Sequence, residues 1–324
     1  MTGPLAVSVG PHIKDPTSTK KIMWAVVASL IPAGAAGVFI FGLNSLYVIV
    51  AAVAAAVAAE AAVLSIRKKD TGAIWDGSAV LTGLLLAYNL PPQVPLWMPV
   101  AGSIFAIVIG KQVFGGLGHN VFNPALVGRA FLMISWPVYM TTWQKPRWAV
   151  DAVTTATPLA MCKAGGGECA MLKGVTYLDL FLGNRGGCIG EVCVIALLAG
   201  AAFLFIKRYI TWHIPVTFIS TVGLFSWIFN GPVIFKGSAI FFVMAGGLIL
   251  GAFFMATDYV TSPLSARGKI IFGVGCGVLT FLIRRFSGYP EGVSYAILIM
   301  NAVTPMIDRY TFPGWFGKAK REKI

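Results

Sequence analysis

The chain has 324 residues, 57% of them hydrophobic and 11% charged, with a formal net charge of +13. Soluble domains carry about 25% charged residues, so a soluble globular fold is excluded, and apolar runs of about 20 residues call for lipid as solvent. A nucleic-acid binder is excluded as well: Lys and Arg sit in short clusters between apolar runs (Arg67-Lys68-Lys69, Lys207-Arg208, and the tail from Lys318 to Lys323), not interleaved with aromatics on one polar face.

The first twenty residues are polar and the first apolar run is long enough to span, so no cleavable signal peptide is expected. Ten apolar spans follow, near residues 22–43, 46–66, 78–90, 95–113, 121–142, 188–206, 210–230, 238–257, 270–283 and 293–307. The expected fold is an all-α membrane protein of about ten transmembrane helices. Residues 1–142 form one five-helix repeat, 143–187 an external loop, and 188–324 a second five-helix repeat with a cytoplasmic tail. The third span is short and stops at Asn89-Leu90-Pro91-Pro92, and the eighth ends at Thr257-Asp258-Tyr259 before Ser262-Pro263. Breaks at membrane depth are tolerated only where protein or a cavity satisfies the freed backbone groups. The alternative is that these prolines end spans at the surface.

The loop 143–187 is the one long connection, with Gly165-Gly166-Gly167 in its middle, and long loops in tight architectures are functional or disordered. Cys162 and Cys169 share it, so a disulfide is open to them on an oxidising side, two free thiols being the alternative. Five cysteines without a CxxC pair argue against a zinc site or an iron–sulfur cluster held by this chain alone.

The two halves repeat. The stretch from Pro91 aligns with that from Ser262 so that Pro91 matches Pro263, Phe114 matches Phe286, Gly116 matches Gly288 and Val121 matches Val293. With five spans per half, the second enters the membrane inverted, an arrangement that places a binding site or path between halves. A cytoplasmic N-terminus puts most Lys and Arg inside, with both termini inside and the loop 143–187 outside the cell membrane. Arg284 and Arg285 then fall outside, against the rule.

Acidic residues are few, and Glu60, Asp76, Glu191, Asp258, Glu291 and Asp308 lie in or at the ends of spans, where carboxylates are functional candidates. Asp258, beside Thr257, Thr261 and Ser262, is a place for a cation to meet oxygen ligands. Glu60 lies among alanines near the inner end of the second span, with snorkelling or pairing with Arg67 as the plain alternative. These two are the ion-path candidates. His12, His119 and His213 are the only histidines, and no Ser-His-Asp arrangement follows from their spacing. Gly115, Gly116 and Gly118 allow unusual backbone dihedrals. Asn120 and Asn123, three apart, share one face if helical and offer two amides able to donate and accept. A glycine-rich turn with asparagines capping the helix that Pro124 enters is the competing reading.

Two segments carry a resemblance. Asp151-Ala152-Val153-Thr154-Thr155-Ala156-Thr157 is similar to the flavin-attachment motif D-x-x-[S/T]-G-A-T, with Thr155 where glycine is usual; a plain threonine-rich loop is the reading of this segment alone. KQVFGGLGHNVFNPALVGRAFL, Lys111 to Leu132, resembles the signature of the flavin-carrying membrane subunits shared by Rnf complexes and sodium-pumping NADH:quinone reductases. GPHIKDPTSTKKIMWAVVASLIPA, DGSAVLTGLLLAYNLPP and MATDYVTSPLSARGKIIFG resemble further blocks of that family, the Rnf D type more closely than the quinone-reductase B type, whose N-terminal region is longer.

The resemblance implies FMN joined to Thr157 by a phosphoester, attached by a separate Mg-dependent flavin transferase. Lys145, Arg147 and Lys163 lie near enough in sequence to offset the phosphate charge. It also implies a second, non-covalent flavin, riboflavin, expected on Asn120 and Asn123 with Thr82. The implied function is electron carriage within a multi-subunit complex that couples ferredoxin oxidation and NAD reduction to Na⁺ or H⁺ transport, with no turnover by the chain alone. A quinone-reductase B subunit and a non-redox solute channel or transporter are the alternatives.

Overall fold

The computed structural model describes residues 17–68, 71–147, 154–155, 157–164, 176–231, 233–287 and 291–311. The chain is predominantly helical, and among the described residues the one sheet is a pair of two-residue strands. Among the same residues three helices are long and apolar enough to cross a membrane: α1 (Thr19–Phe41), α2 (Leu43–Ile66) and α13 (Ala266–Phe286). At 1.5 Å per residue, the 23 residues of α1 cover about 35 Å, more than a hydrocarbon core of about 30 Å. The Ser18 side chain caps α1 by accepting from Lys21 N at 3.3 Å. Gly42, at φ +93°, then separates α1 from α2.

The helix α3 (Ser78–Tyr88) has 11 residues and is almost wholly buried, packed on α1 and α2 and on the following α4 (Trp97–Ile107) and α5 (Pro124–Ser135). Its end is an interior break, not a surface stop. Residues 88–92 are all buried, and protein groups meet their carbonyls. Tyr88 O accepts from Gly190 N at 3.1 Å and Leu90 O from Ile189 N at 3.0 Å. Asn89 O accepts from Cys188 Sγ at 3.2 Å, and Pro92 O from Asn44 Nδ2. This is how broken helices persist in a low-dielectric interior.

The other spans depart from the sequence expectation in instructive ways. α4 runs on as a π-helical turn, Val108–Gln112. The run 121–142 is two helices, α5 and α6 (Pro137–Met140), parted at Trp136. The run 188–206 becomes helical only at α9 (Val194–Ile206), because 188–193 serve as the strap that pairs with 88–90. After α10 (His213–Phe229), the eighth run is interrupted mid-span. α11 (Ala239–Met244) gives way to extended Ala245 and to Gly246 at φ +69°, followed by α12 (Leu248–Leu250) and a π-helical Gly251–Met255. α13 and α14 (Val293–Thr311) complete the bundle.

In the loop 143–187, β1 (Trp143–Gln144) pairs antiparallel with β2 (Thr154–Thr155), so the backbone of Thr155 lies opposite Trp143 and that of Thr154 opposite Gln144. α7 (Pro158–Ala164) and α8 (Tyr177–Leu182) follow. α8 has a reciprocal Thr176/Asp179 cap, and hydrogen bonds from Thr176 and Asn184 hold the Asp179 carboxyl below its usual range. Asp151, Ala156, the glycines 165–167 and Cys169 lie outside the described residues.

Candidate functional site

A cavity opens where α3, the π-helical turn of α4, the glycine turn, the N-terminus of α5 and the segment after α12 converge. Thr82, Lys111, Asn120, Asn123 and Asp258 supply polar groups to walls otherwise made by side chains such as Met23, Leu204 and Phe253. A mostly apolar pocket with a few placed polar groups is the usual form of a cofactor site. Thr82, Asn120 and Asn123, expected together from sequence, are brought together here, with Asp258.

The helical premise for the two asparagines does not hold. Gly115, Gly116 and Gly118 all have positive φ, so the segment is a turn, and both asparagines line the cavity. Asn123 is the cap of α5: its Oδ1 accepts from Ala125 N at 3.1 Å, and its Nδ2 donates to Met255 O at 3.2 Å. Asn120 differs. Its Nδ2 donates to Phe122 O at 3.1 Å, but its Oδ1 is buried without a hydrogen-bond partner. Thr82 Oγ1 donates to Ser78 O at 2.9 Å and keeps its lone pairs. Asp258 Oδ2 accepts from Thr261 Oγ1 at 3.1 Å.

Behind the cavity lies a buried ion pair. Lys111 Nζ donates to both oxygens of Glu60, at 2.6 and 2.8 Å, and to Ser78 Oγ at 2.6 Å; Gln112 Nε2 adds a bond to Glu60 at 2.9 Å. Glu60 therefore does not pair with Arg67, which donates instead to Gln112 O at 2.6 Å. Nor does it face the cavity with Asp258; Lys111 stands between, and all three ammonium donors are used. The two ion-path candidates are thus not one site.

Thr157 is buried and begins α7, its hydroxyl accepting from Ala160 N at 3.2 Å and its carbonyl from Met161 N at 2.9 Å. Lys163 does not turn towards it, for its ammonium donates to the carbonyls of Arg284 and Ser287. Cys162 is disulfide-bonded, while Cys188, Cys193 and Cys276 are free and buried.

Between the cavity and α7 runs a polar network that the sequence did not announce. Arg129 donates to Asn89 Oδ1 at 2.7 Å, to Ser294 Oγ at 2.8 Å and to Glu291. Cys188 N donates to Glu191 Oε1 at 3.2 Å, and Arg185 to Glu191 O at 3.3 Å. Cys188, Glu191 and Glu291 bring potential ligand atoms within 4.8 Å of one another. With Arg129, Arg185 and Arg284 against two carboxylates, however, the group carries an excess of positive charge that disfavours a further cation. Asn89 also touches Met255, whose carbonyl holds Asn123. At the other end Arg284 donates to Phe242 O and Ala245 O, residues that pack against Leu159 and Cys162 of α7. The network from the cavity and the contacts of the helix that Thr157 begins thus approach each other where the charges of Glu291 and Glu191 act on Arg284.

Comparison with known proteins gives matches along nearly the whole chain. The model of the NQR2, RnfD, RnfE family matches residues 6–317. The chain is 52% identical over 317 residues to the D subunit of the proton-translocating ferredoxin:NAD(+) oxidoreductase complex of Clostridium ljungdahlii, covering 96% of each chain. It is 47% identical over 322 residues to the D subunit of the Na(+)-translocating ferredoxin:NAD(+) oxidoreductase complex of Acetobacterium woodii, covering 98% of this chain and 97% of that one. With the D subunit of the ion-translocating oxidoreductase complex of Stutzerimonas stutzeri the identity is 40%, over 95% of this chain and 94% of that one.

Proposed function

Since the chain belongs to the NQR2, RnfD, RnfE family, we propose that it is the D-type membrane subunit of an ion-translocating ferredoxin:NAD⁺ oxidoreductase complex, and that it carries electrons on two flavins. The observation that carries this reading is the cavity just described: Thr82, Asn120 and Asn123, the residues expected to hold riboflavin, line it together, and a polar network runs from it towards the helix that Thr157 begins. FMN on Thr157 and riboflavin on Thr82, Asn120 and Asn123 fit what is present. The orphaned Asn120 Oδ1 lacks a donor, which a flavin imide N–H supplies. Among the described residues the Thr157 hydroxyl accepts one hydrogen bond, leaving an oxygen able to form an ester. Bound flavin supplies one-electron transfer. The chain's own residues position it, exclude water with the apolar walls, and set the Lys111–Glu60 ion pair beside the cavity.

The finer architecture belongs to the same proposal: two inverted five-helix repeats. α1, α2, α3, α4 and α5 correspond in order to α9, α10, α12, α13 and α14. The pairings α2–α4 and α4–α5 recur as α10–α13 and α13–α14, while α1 meets α9 and α5 meets α14 across the halves. In this reading the termini face the cytoplasm and Thr157 faces outward. The coupling ion is left as Na⁺ or H⁺, since relatives about equally similar are named for each, with Asp258 the better placed of the two carboxylates to meet it. The test is purification of the tagged chain from its own membranes. Flavin absorbance together with co-purifying ferredoxin-linked subunits is expected; a colourless chain without partners contradicts the reading and favours a solute transporter.

A further inference from the structure

α14 carries a single carboxamide, Asn301, which is 1% exposed in the stretch of helix between Ile297 and Thr304. A buried amide is costly unless it is hydrogen-bonded, so its partners explain its presence. The surroundings admit one orientation: Nδ2 donates to Ile297 O and Oδ1 accepts from Asn123 N, both at 3.2 Å. The reverse orientation sets acceptor against acceptor and donor against donor. Asn123, at the start of α5, lines the flavin cavity. A side chain of the second half of the chain therefore holds a backbone donor of the first. The arrangement is reciprocal, because Arg129 of α5 donates to Ser294 Oγ at 2.8 Å and to Glu291, both at the start of α14. At the offset that matches Pro91 with Pro263 and Val121 with Val293, Arg129 matches Asn301. Equivalent positions of the two halves thus brace the start of each other's helix. Only the brace made by Asn301 ends on a residue of the cavity.

Asn301 acts on the cavity through the direction of the Asn123 amide. Asn123 Oδ1 accepts from Ala125 N at 3.1 Å, and Nδ2 donates to Met255 O at 3.2 Å. A carboxamide nitrogen has two hydrogens, so one is left to offer the cavity. With its backbone N–H on Asn301 as well, Asn123 is tied to three different partners, and its extended cap conformation, φ −63° and ψ 117°, is held. Asn120 contributes the opposite polarity, a buried Oδ1 without a partner. A donor from Asn123 and an acceptor from Asn120 suit a ring edge on which a carbonyl adjoins an imide N–H. We propose, on the reading of this cavity as a riboflavin site, that Asn301 is a positioning residue: it keeps Asn123 where its remaining hydrogen meets a flavin carbonyl. A role in packing alone differs in consequence, since removing Asn301 then lowers stability without its acceptor mattering to the flavin.

The test uses the full chain made without a flavin transferase, stripped of flavin and titrated with riboflavin in detergent. Quenching of flavin fluorescence reads the affinity, and the absorption spectrum of the bound flavin reads its hydrogen bonding. Asn301→Leu keeps most of the volume and removes the acceptor, so it should weaken binding roughly ten-fold and shift the bound spectrum. Asn301→Asp keeps an oxygen for the Asn123 N–H, and should bind with the affinity and spectrum of the unaltered chain. Thermal unfolding of the flavin-free proteins, read alongside, separates stability from binding. Unaltered affinity and spectrum in folded Asn301→Leu overturn the proposal. So does Asn301→Asp that binds as poorly as Asn301→Leu, because the acceptor is then not what the flavin senses. An unaltered chain that binds no riboflavin is a different failure: the reading of the cavity falls, and the positioning role with it. If Asn301→Leu does not fold, Asn301→Ala takes its place, and Asn301→Asp still decides through its own affinity and spectrum.

Discussion

At the scale of single residues, the cavity separates two asparagines that the sequence treats alike. Asn120 has an unpaired buried oxygen and Asn123 has none to spare. Leaving a buried partner unpaired costs about 1–3 kcal/mol, so Asn120→Ala should weaken riboflavin retention roughly ten- to a hundred-fold with little loss of stability. Asn123→Ala should also lose a helix cap, worth about 1 kcal/mol. Acid-extractable flavin and thermal stability, read together in a Thr157→Ala background, separate the two effects; unchanged flavin in Asn120→Ala would remove that residue from the site. Glu60 is a different case, because it neutralises a fully buried ammonium. Glu60→Gln strands Lys111 and should destabilise the protein by about 3–5 kcal/mol, whereas Glu60→Gln with Lys111→Met should recover much of that loss. A single variant as stable as the parent, by thermal unfolding in detergent, contradicts a structural role for the pair.

At the scale of elements, the bundle depends on close seating of a broken helix. A Cβ on Gly190 would lie 2.3 Å from Tyr88 Cβ, in the strap that satisfies the carbonyls of 88–90. Gly190→Ala should therefore destabilise by about 1–3 kcal/mol or more, seen as a lowered unfolding temperature; an unshifted transition would mean the strap is not tightly packed. The first two helices were legible in the sequence to within a few residues, since hydropathy suffices to place them. The interruption at Ala245–Gly247 was not, because it falls inside an apolar run long enough to read as one span. The cavity residues Thr82, Asn120, Asn123 and Asp258 were legible, three from the resemblance and one from a carboxylate beside oxygen-bearing neighbours. The Arg129–Glu291–Cys188 network was not, as its members come from segments far apart in the chain. The available signals were Glu191 and Glu291 among the carboxylates near spans, and Arg129 inside an apolar run.

At the scale of the whole molecule, sidedness and redox loading are one question, because Thr157 must face the side on which flavin is attached. With Cys162 and Cys169 removed, a cysteine at Ala164 should react with a membrane-impermeant reagent applied from outside, and one at Lys69 should not; reversed labelling inverts the orientation. Such labelling leaves the flavin itself untested. The most direct measurement is the intact mass of the chain co-expressed with a flavin transferase, beside its Thr157→Ala variant. The account predicts a mass increase of one FMN esterified with loss of water, absent from the variant and mapped to the peptide that contains Thr157. An unmodified parent chain, or an adduct that persists in Thr157→Ala and maps to Thr154 or Thr155, contradicts it.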